Sequence, residues 1–274
     1  MMKFTQPIRA SLFMSLSAAC MMFGYEMVRS SSTTLLKATY GIQSFPFIMS
    51  LIPIVILPLI FLYGKAIEKY GPKLILLSFM GISAAVILLL YVLIQKKIAL
   101  SVAALFLFRE AYIVLIVEQY WSYIDSIFTE NEGKKFNGYF LGISSTGAII
   151  GGGYVHKMSQ VFGTVNLLIP CVVACLLSLL AAAKAYNTFS PKEHKSKDKQ
   201  KESIFSIKTF QRSPTLWSIL GIIIASQAFS TVTEYNFQSV LSQSFKDQDS
   251  HTAFMGFFYG SLNLASMVFH FILS

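Results

Sequence analysis

Six ionisable residues, Glu26, Arg109, Glu110, Glu118, Asp125 and Glu234, stand inside long apolar runs of this chain. Groups of this kind can bind a polar solute, hand on a proton, or neutralise one another. Arg29 follows Glu26 by three residues, so the two could also pair across one helical turn. At 100° per residue, Glu110, Glu118 and Asp125 fall within an arc of about 80° and form one acidic stripe on a helix. Trp121 and Ser122 continue the face of Glu118, which reads as a polar and aromatic pocket wall. Enzyme chemistry is not visible. His156, His194, His251 and His270 are scattered over different segments without ligand spacing, so neither a metal nor another cofactor is expected. Cys20, Cys171 and Cys175 read as packed free thiols.

The elements that must hold these groups follow from composition. Apolar residues make up 54% of the 274, charged residues 13%, and Phe alone contributes 24; mean hydropathy is +0.60. No water-soluble fold covers that much apolar surface. A helix needs about 20 apolar residues to cross a bilayer. Runs of that kind lie near 8–28, 44–63, 74–94, 98–127, 138–155, 161–183, 215–241 and 253–274. They are apolar on all sides rather than at every second residue, which excludes barrel strands. The fold class is an all-α integral membrane protein. At about 1.5 Å per residue, Glu26 and Glu234 lie in the outer half, Arg109 and Glu110 near the middle, and Glu118 and Asp125 towards the inner face.

Lysine and arginine are retained on the cytoplasmic side of short loops. With the N-terminus inside, inner segments collect fifteen of the 22 cations and outer segments six, among them Arg29 and Lys37. The net charge of +9 is thus spread over inner loops that face anionic lipid, and no nucleic-acid partner is implied. The chain divides into a six-span unit, 1–189, a basic linker, 190–213, and the start of a second unit, 214–274. A single cysteine at Ser196, in a cysteine-free background, is expected to react with an impermeant maleimide only after membranes are permeabilised. Ready labelling from outside would reverse the orientation.

Six helices, a long basic loop and a fresh start form the outline of a transporter built from two six-helix repeats. The connection Gly64-Lys65-Ala66-Ile67-Glu68-Lys69-Tyr70-Gly71-Pro72-Lys73 resembles the Gly-x-x-x-Asp-Arg-x-Gly-Arg motif of major facilitator transporters. That resemblance implies a gating loop at Gly64, Glu68, Lys69, Gly71 and Lys73. It also implies that spans one, four and seven, which carry every buried charge, line a central cavity. Gly138-x-x-x-Gly142 and Gly147-x-x-x-Gly151, followed by Gly152 and Gly153, predict close helix contact in span five. Pro53 and Pro58 predict kinks in span two.

Phe23-Gly24-Tyr25-Glu26-Met27-Val28-Arg29, Glu118-Gln119-Tyr120-Trp121 with Glu132-Gly133-Lys134-Lys135-Phe136, and Thr233-Glu234-Tyr235-Asn236-Phe237 resemble the nucleotide transporter (ATP/ADP translocase) family. The resemblance implies exchange of nucleotides such as ATP and ADP in a bacterial inner membrane, where the cation bias sets the N-terminus on the cytoplasmic side. Glu118 and Glu234 match the two glutamates of that family's transport path. Two lysines of the family pattern are replaced here by Ser32 and Gln238. The expected partners are a small-molecule solute, with nucleotide foremost, and the lipid bilayer. A facilitator for another organic ion, or a membrane scaffold that transports nothing, is the alternative. The second repeat shows two of its six helices, so the 274 residues are expected to be truncated and to transport nothing alone.

Overall fold

A computed structural model describes residues 5–128, 130–190 and 214–273. The linker expected at 190–213 lies almost wholly outside them. Eight long helices are present among the described residues. Helix α1 (Thr5–Tyr40) runs to Gly41, whose φ of +77° only glycine adopts readily. A 3₁₀ turn (Ile42–Ser44) and a short α2 (Phe45–Ser50) lead into α3 (Ile52–Tyr70), with Pro53 in its first turn and Pro58 inside it. Then follow α4 (Pro72–Gln95), α5 (Ala99–Ile127) and α6 (Glu130–Phe162). After a second 3₁₀ turn (Val165–Leu167) come α7 (Leu168–Thr188), α8 (Pro214–Ser244) and α9 (Gln248–Leu273). Asp247 caps α9 by accepting the Ser250 N–H at 2.8 Å. That main-chain bond, with the Ser250 side chain, holds the exposed Asp247 carboxyl below its ordinary range.

Among the described residues, six candidate spans are long and apolar enough to cross a membrane. The two long helices outside that set are α6, rich in glycine, and α8, rich in serine and threonine whose bonds run to the helix's own carbonyls, as from Thr231 to Gln227. The fourth expected span, 98–127, coincides with α5, whereas the first, 8–28, stops twelve residues before the end of α1. Arg29 and Lys37, read as outer loop cations, lie inside α1 instead. The run Ser30-Ser31-Ser32-Thr33-Thr34 lowers local hydropathy and looks like a helix end. All five are buried, and several of their hydroxyls bond within the fold: Ser31 Oγ donates to the Thr164 carbonyl at 3.1 Å.

Helix α1 sits at the centre, against α5, α6 and α7, while α6 packs on α9. Glycine permits both contacts of α6. A Cβ on Gly147 would overlap the Ala19 carbonyl of α1, and one on Gly152 would lie 2.6 Å from the Gly260 Cα of α9. The close packing expected of these glycines is therefore present on two faces of one helix. Side-chain bonds identify the helix ends that lie together. Lys73, opening α4, donates to Asn187 near the end of α7, and Lys184 of α7 lies over the Phe13 ring of α1. At the other end Lys37, closing α1, meets His251, near the start of α9. Helix α3 turns Ile54, Leu57, Phe61 and Leu62 outward, as a lipid-facing helix does.

Candidate functional site

The charged groups of α1 and α5 meet in a polar seam that continues onto α8 and α9. Arg109, 6% exposed, anchors it. Its Nε pairs with Glu110 Oε1 at 2.9 Å. Its Nη1 reaches the Arg29 carbonyl at 2.7 Å, Ser32 Oγ at 3.0 Å and Thr33 Oγ1. The guanidinium thereby ties α5 to the Ser/Thr run of α1. Ser31, Ser32 and Thr33 are tolerated in a bilayer because their hydroxyls have internal partners, while Ser30 Oγ and Thr34 Oγ1 are buried without one among the described residues.

One turn earlier, Glu26 is 1% exposed. Its Oε1 accepts from Asn263 Nδ2 of α9 at 2.9 Å, and its Oε2 has no partner among the described residues. The alternative pairing of Glu26 with Arg29 across one turn is not formed: the ion pair among the described residues is Arg109–Glu110. Arg29 instead lies over the Tyr259 ring of α9, 3.5 Å from its centroid, with Tyr25 at 5.9 Å. A guanidinium on an aromatic face keeps its edge donors open to a further ligand.

Glu234 extends the seam along α8. It accepts from Gln238 Nε2 at 2.7 Å, and Gln238 Oε1 in turn accepts from Lys37 Nζ at 2.6 Å. Lys37 Nζ also lies 2.7 Å from His251 Nε2. Glu26, Arg29, Arg109, Glu110 and Glu234 are thus brought into one region. Lys37, Gln238, His251, Tyr259 and Asn263 belong to it as well; Lys37 had been read as a loop cation, Gln238 as a replaced lysine and His251 as a scattered histidine, and Tyr259 and Asn263 were not singled out from sequence. The sign for Asn263 was an unexplained polar residue on an apolar helix.

Glu118 stands apart. With Asp125, Trp121, Ser122, Ile113, Val114 and Val117 it lines an open groove of about 540 Å³ along α5. Among the described residues no hydrogen bond or ion pair joins Glu118 to Glu234. The acidic stripe of α5 is accordingly divided: Glu110 is taken up by Arg109, and Glu118 and Asp125 face the groove.

The expected gating loop is mostly helix. Gly64, Glu68 and Lys69 occupy the exposed last turns of α3, and the connection is Gly71 alone, at φ +82°. Its N–H closes on the Ile67 carbonyl at 2.8 Å, and Pro72 starts α4. A polar helix end and a polar loop have the same composition, which is why the two looked alike. Lys73 Nζ donates to Asn187 Oδ1 at 3.0 Å and fixes the start of α4 against α7.

The family model of the Major Facilitator Superfamily matches residues 14–274. No curated protein and no solved structure matches the chain significantly. The multi-pass helical bundle, the polar seam through its interior and the extent of that match lead to one assignment: the chain belongs to the Major Facilitator Superfamily, whose members are secondary membrane transporters of small-molecule solutes and not enzymes.

Proposed function

We propose that the chain takes part in nucleotide exchange of the ATP/ADP type by alternating access. Glu26, Arg29, Arg109, Glu110 and Glu234 form the solute pathway, and Glu118 stands at a second position along it. One observation carries the proposal. At each of the two positions where the resemblance calls for a lysine, a cation arrives from elsewhere in the fold. Arg109 Nη1 meets Ser32 Oγ at 3.0 Å, and Lys37 Nζ meets Gln238 Oε1 at 2.6 Å. Positive charge is thus kept at both places while the residue that supplies it has changed. Arg29 adds a third cation with no carboxylate within ion-pair distance among the described residues. Its fork of donors suits a phosphate, and the rings of Tyr25 and Tyr259 suit a planar base.

Equilibrium binding of labelled ATP to the purified protein in nanodiscs tests this. ATP and ADP are expected to compete, and adenosine to compete poorly. Arg29→Gln is expected to weaken ATP binding by about 10- to 100-fold, the value of one or two charge-assisted hydrogen bonds. Saturable binding of a non-phosphorylated organic ion that ATP does not displace would favour the facilitator alternative.

A further inference from the structure

We propose that Lys37 and His251 form a proton site that locks the first repeat to the second at the end of the bundle opposite the α1 N-terminus, and that protonation of His251 Nε2 releases the lock. Lys37 closes α1, and His251 lies in the first turn of α9. Both are buried, Lys37 at 9% and His251 at 5% exposure. Their nitrogens stand 2.7 Å apart.

An ammonium has donors only, so the contact requires a lone pair on His251 Nε2 and therefore a neutral ring with its proton on Nδ1. One proton lies between the two nitrogens. A second, taken from water onto Nε2, converts the imidazole to imidazolium and faces two N–H donors and two positive charges towards each other. Among the described residues no carboxylate lies within ion-pair distance of Lys37 to absorb that change. Its other partner is the neutral amide of Gln238, which separates it from Glu234 on α8.

The charged and titratable groups facing His251 from each packed element are few. Lys37 comes from α1, Glu234 from α8 through Gln238, and His156 from α6, its Nδ1 3.1 Å from the Ala253 carbonyl. Lys246 and Asp247 come from the connection, where the Asp247 carbonyl accepts the His251 N–H at 3.1 Å. On α9 itself, Asp249 is engaged by the N–H and hydroxyl of Thr164, at 2.7 and 2.6 Å. The Phe245 ring stacks on the imidazole with centroids 6.0 Å apart, which hinders its turning away. The least costly response to a second proton is to part Lys37 from His251, which parts α1 from α9. The lock is present at high pH and is lost as pH falls through the His251 titration.

The proposal rests on the alternating-access reading only in requiring that the two repeats move apart. The test places spin labels at Ala38→Cys and Gln243→Cys in the full chain, with Cys20, Cys171 and Cys175 replaced by alanine, in nanodiscs. Distances are read by double electron–electron resonance at about pH 7 and about pH 3, a range wide enough to carry a buried imidazole beside an ammonium through its titration. Acid is expected to raise the ratio of long to short distances by about tenfold or more. His251→Gln, which still offers Lys37 an acceptor but does not titrate, is expected to remain short at both pH values. Lys37→Gln, which removes the second cation, should do the same and serves if His251→Gln fails to fold. Identical distributions at both pH values, or an acid response that survives in either variant, would overturn the proposal. ATP binding by the same samples separates the two readings. Absent binding with an intact pH response counts against the nucleotide assignment alone. The reverse counts against the lock alone.

Discussion

Gly147→Val is expected to yield little or no folded protein. A Cβ at this position would fall onto the Ala19 carbonyl, and main chain cannot rotate aside as a side chain would. Ordinary overpacking costs about 1–3 kcal/mol, and an obstacle made of backbone puts this substitution above that range. Relief requires α6 to withdraw from α1, which opens the contact between Gly151 and Phe23 one turn away. Gly153 is the internal control. It lies on the same helix, and a Cβ there meets nothing within 4 Å. Gly153→Ala is expected to leave the thermal midpoint in detergent within about 2 °C of the parent, as a neutral surface change does. A folded Gly147→Val protein with the parental midpoint would mean that α1 and α6 do not approach as closely as described.

Arg109→Gln is expected to be the most destabilising change within the polar seam. The guanidinium is the only ion-pair partner of Glu110 among the described residues, and it also serves Arg29 O, Ser32 and Thr33 on α1. Removing one member of a buried pair costs about 3–5 kcal/mol, much of it from the charge left behind. Glu110 is only partly buried, which places the expected loss at the lower end. Adding Glu110→Gln removes the orphaned charge and is expected to recover about half, a coupling that a double-mutant cycle on thermal unfolding would read. Strict additivity would show that Arg109 acts through the hydroxyls of α1 rather than through Glu110.

Sequence conveyed the architecture better than the site. Helix α5 was legible at both ends because its apolar run is long and its flanks are polar, and the glycine spacing of α6 announced close contact on its own. The end of α1 was not legible. Hydropathy scores Ser30 to Thr34 as polar, but the partners that make those residues tolerable in a bilayer, Thr164 and Arg109, lie far away in the chain. The same cause hid Lys37. As a loop cation it had no role, and only the contacts with Gln238 and His251, more than 200 residues on, make it part of the interior. Arg109 and Glu110 were legible as buried charges, whereas their mutual pairing, in preference to Glu26 with Arg29, depends on how α5 rotates against α1.

Helix α1 runs for 36 residues without an internal break, a rod about 54 Å long by the α-helical rise. It carries Glu26 and Arg29 in its middle and Lys37 at its far end. A rod of that length acts as a lever: a tilt of about 10° about one end carries the other through about 9 Å. That sweep is wide enough to admit a solute, while the φ and ψ angles within the helix need not change. Motion at the Lys37 end and a change in the surroundings of Glu26 and Arg29 are therefore one mechanical event.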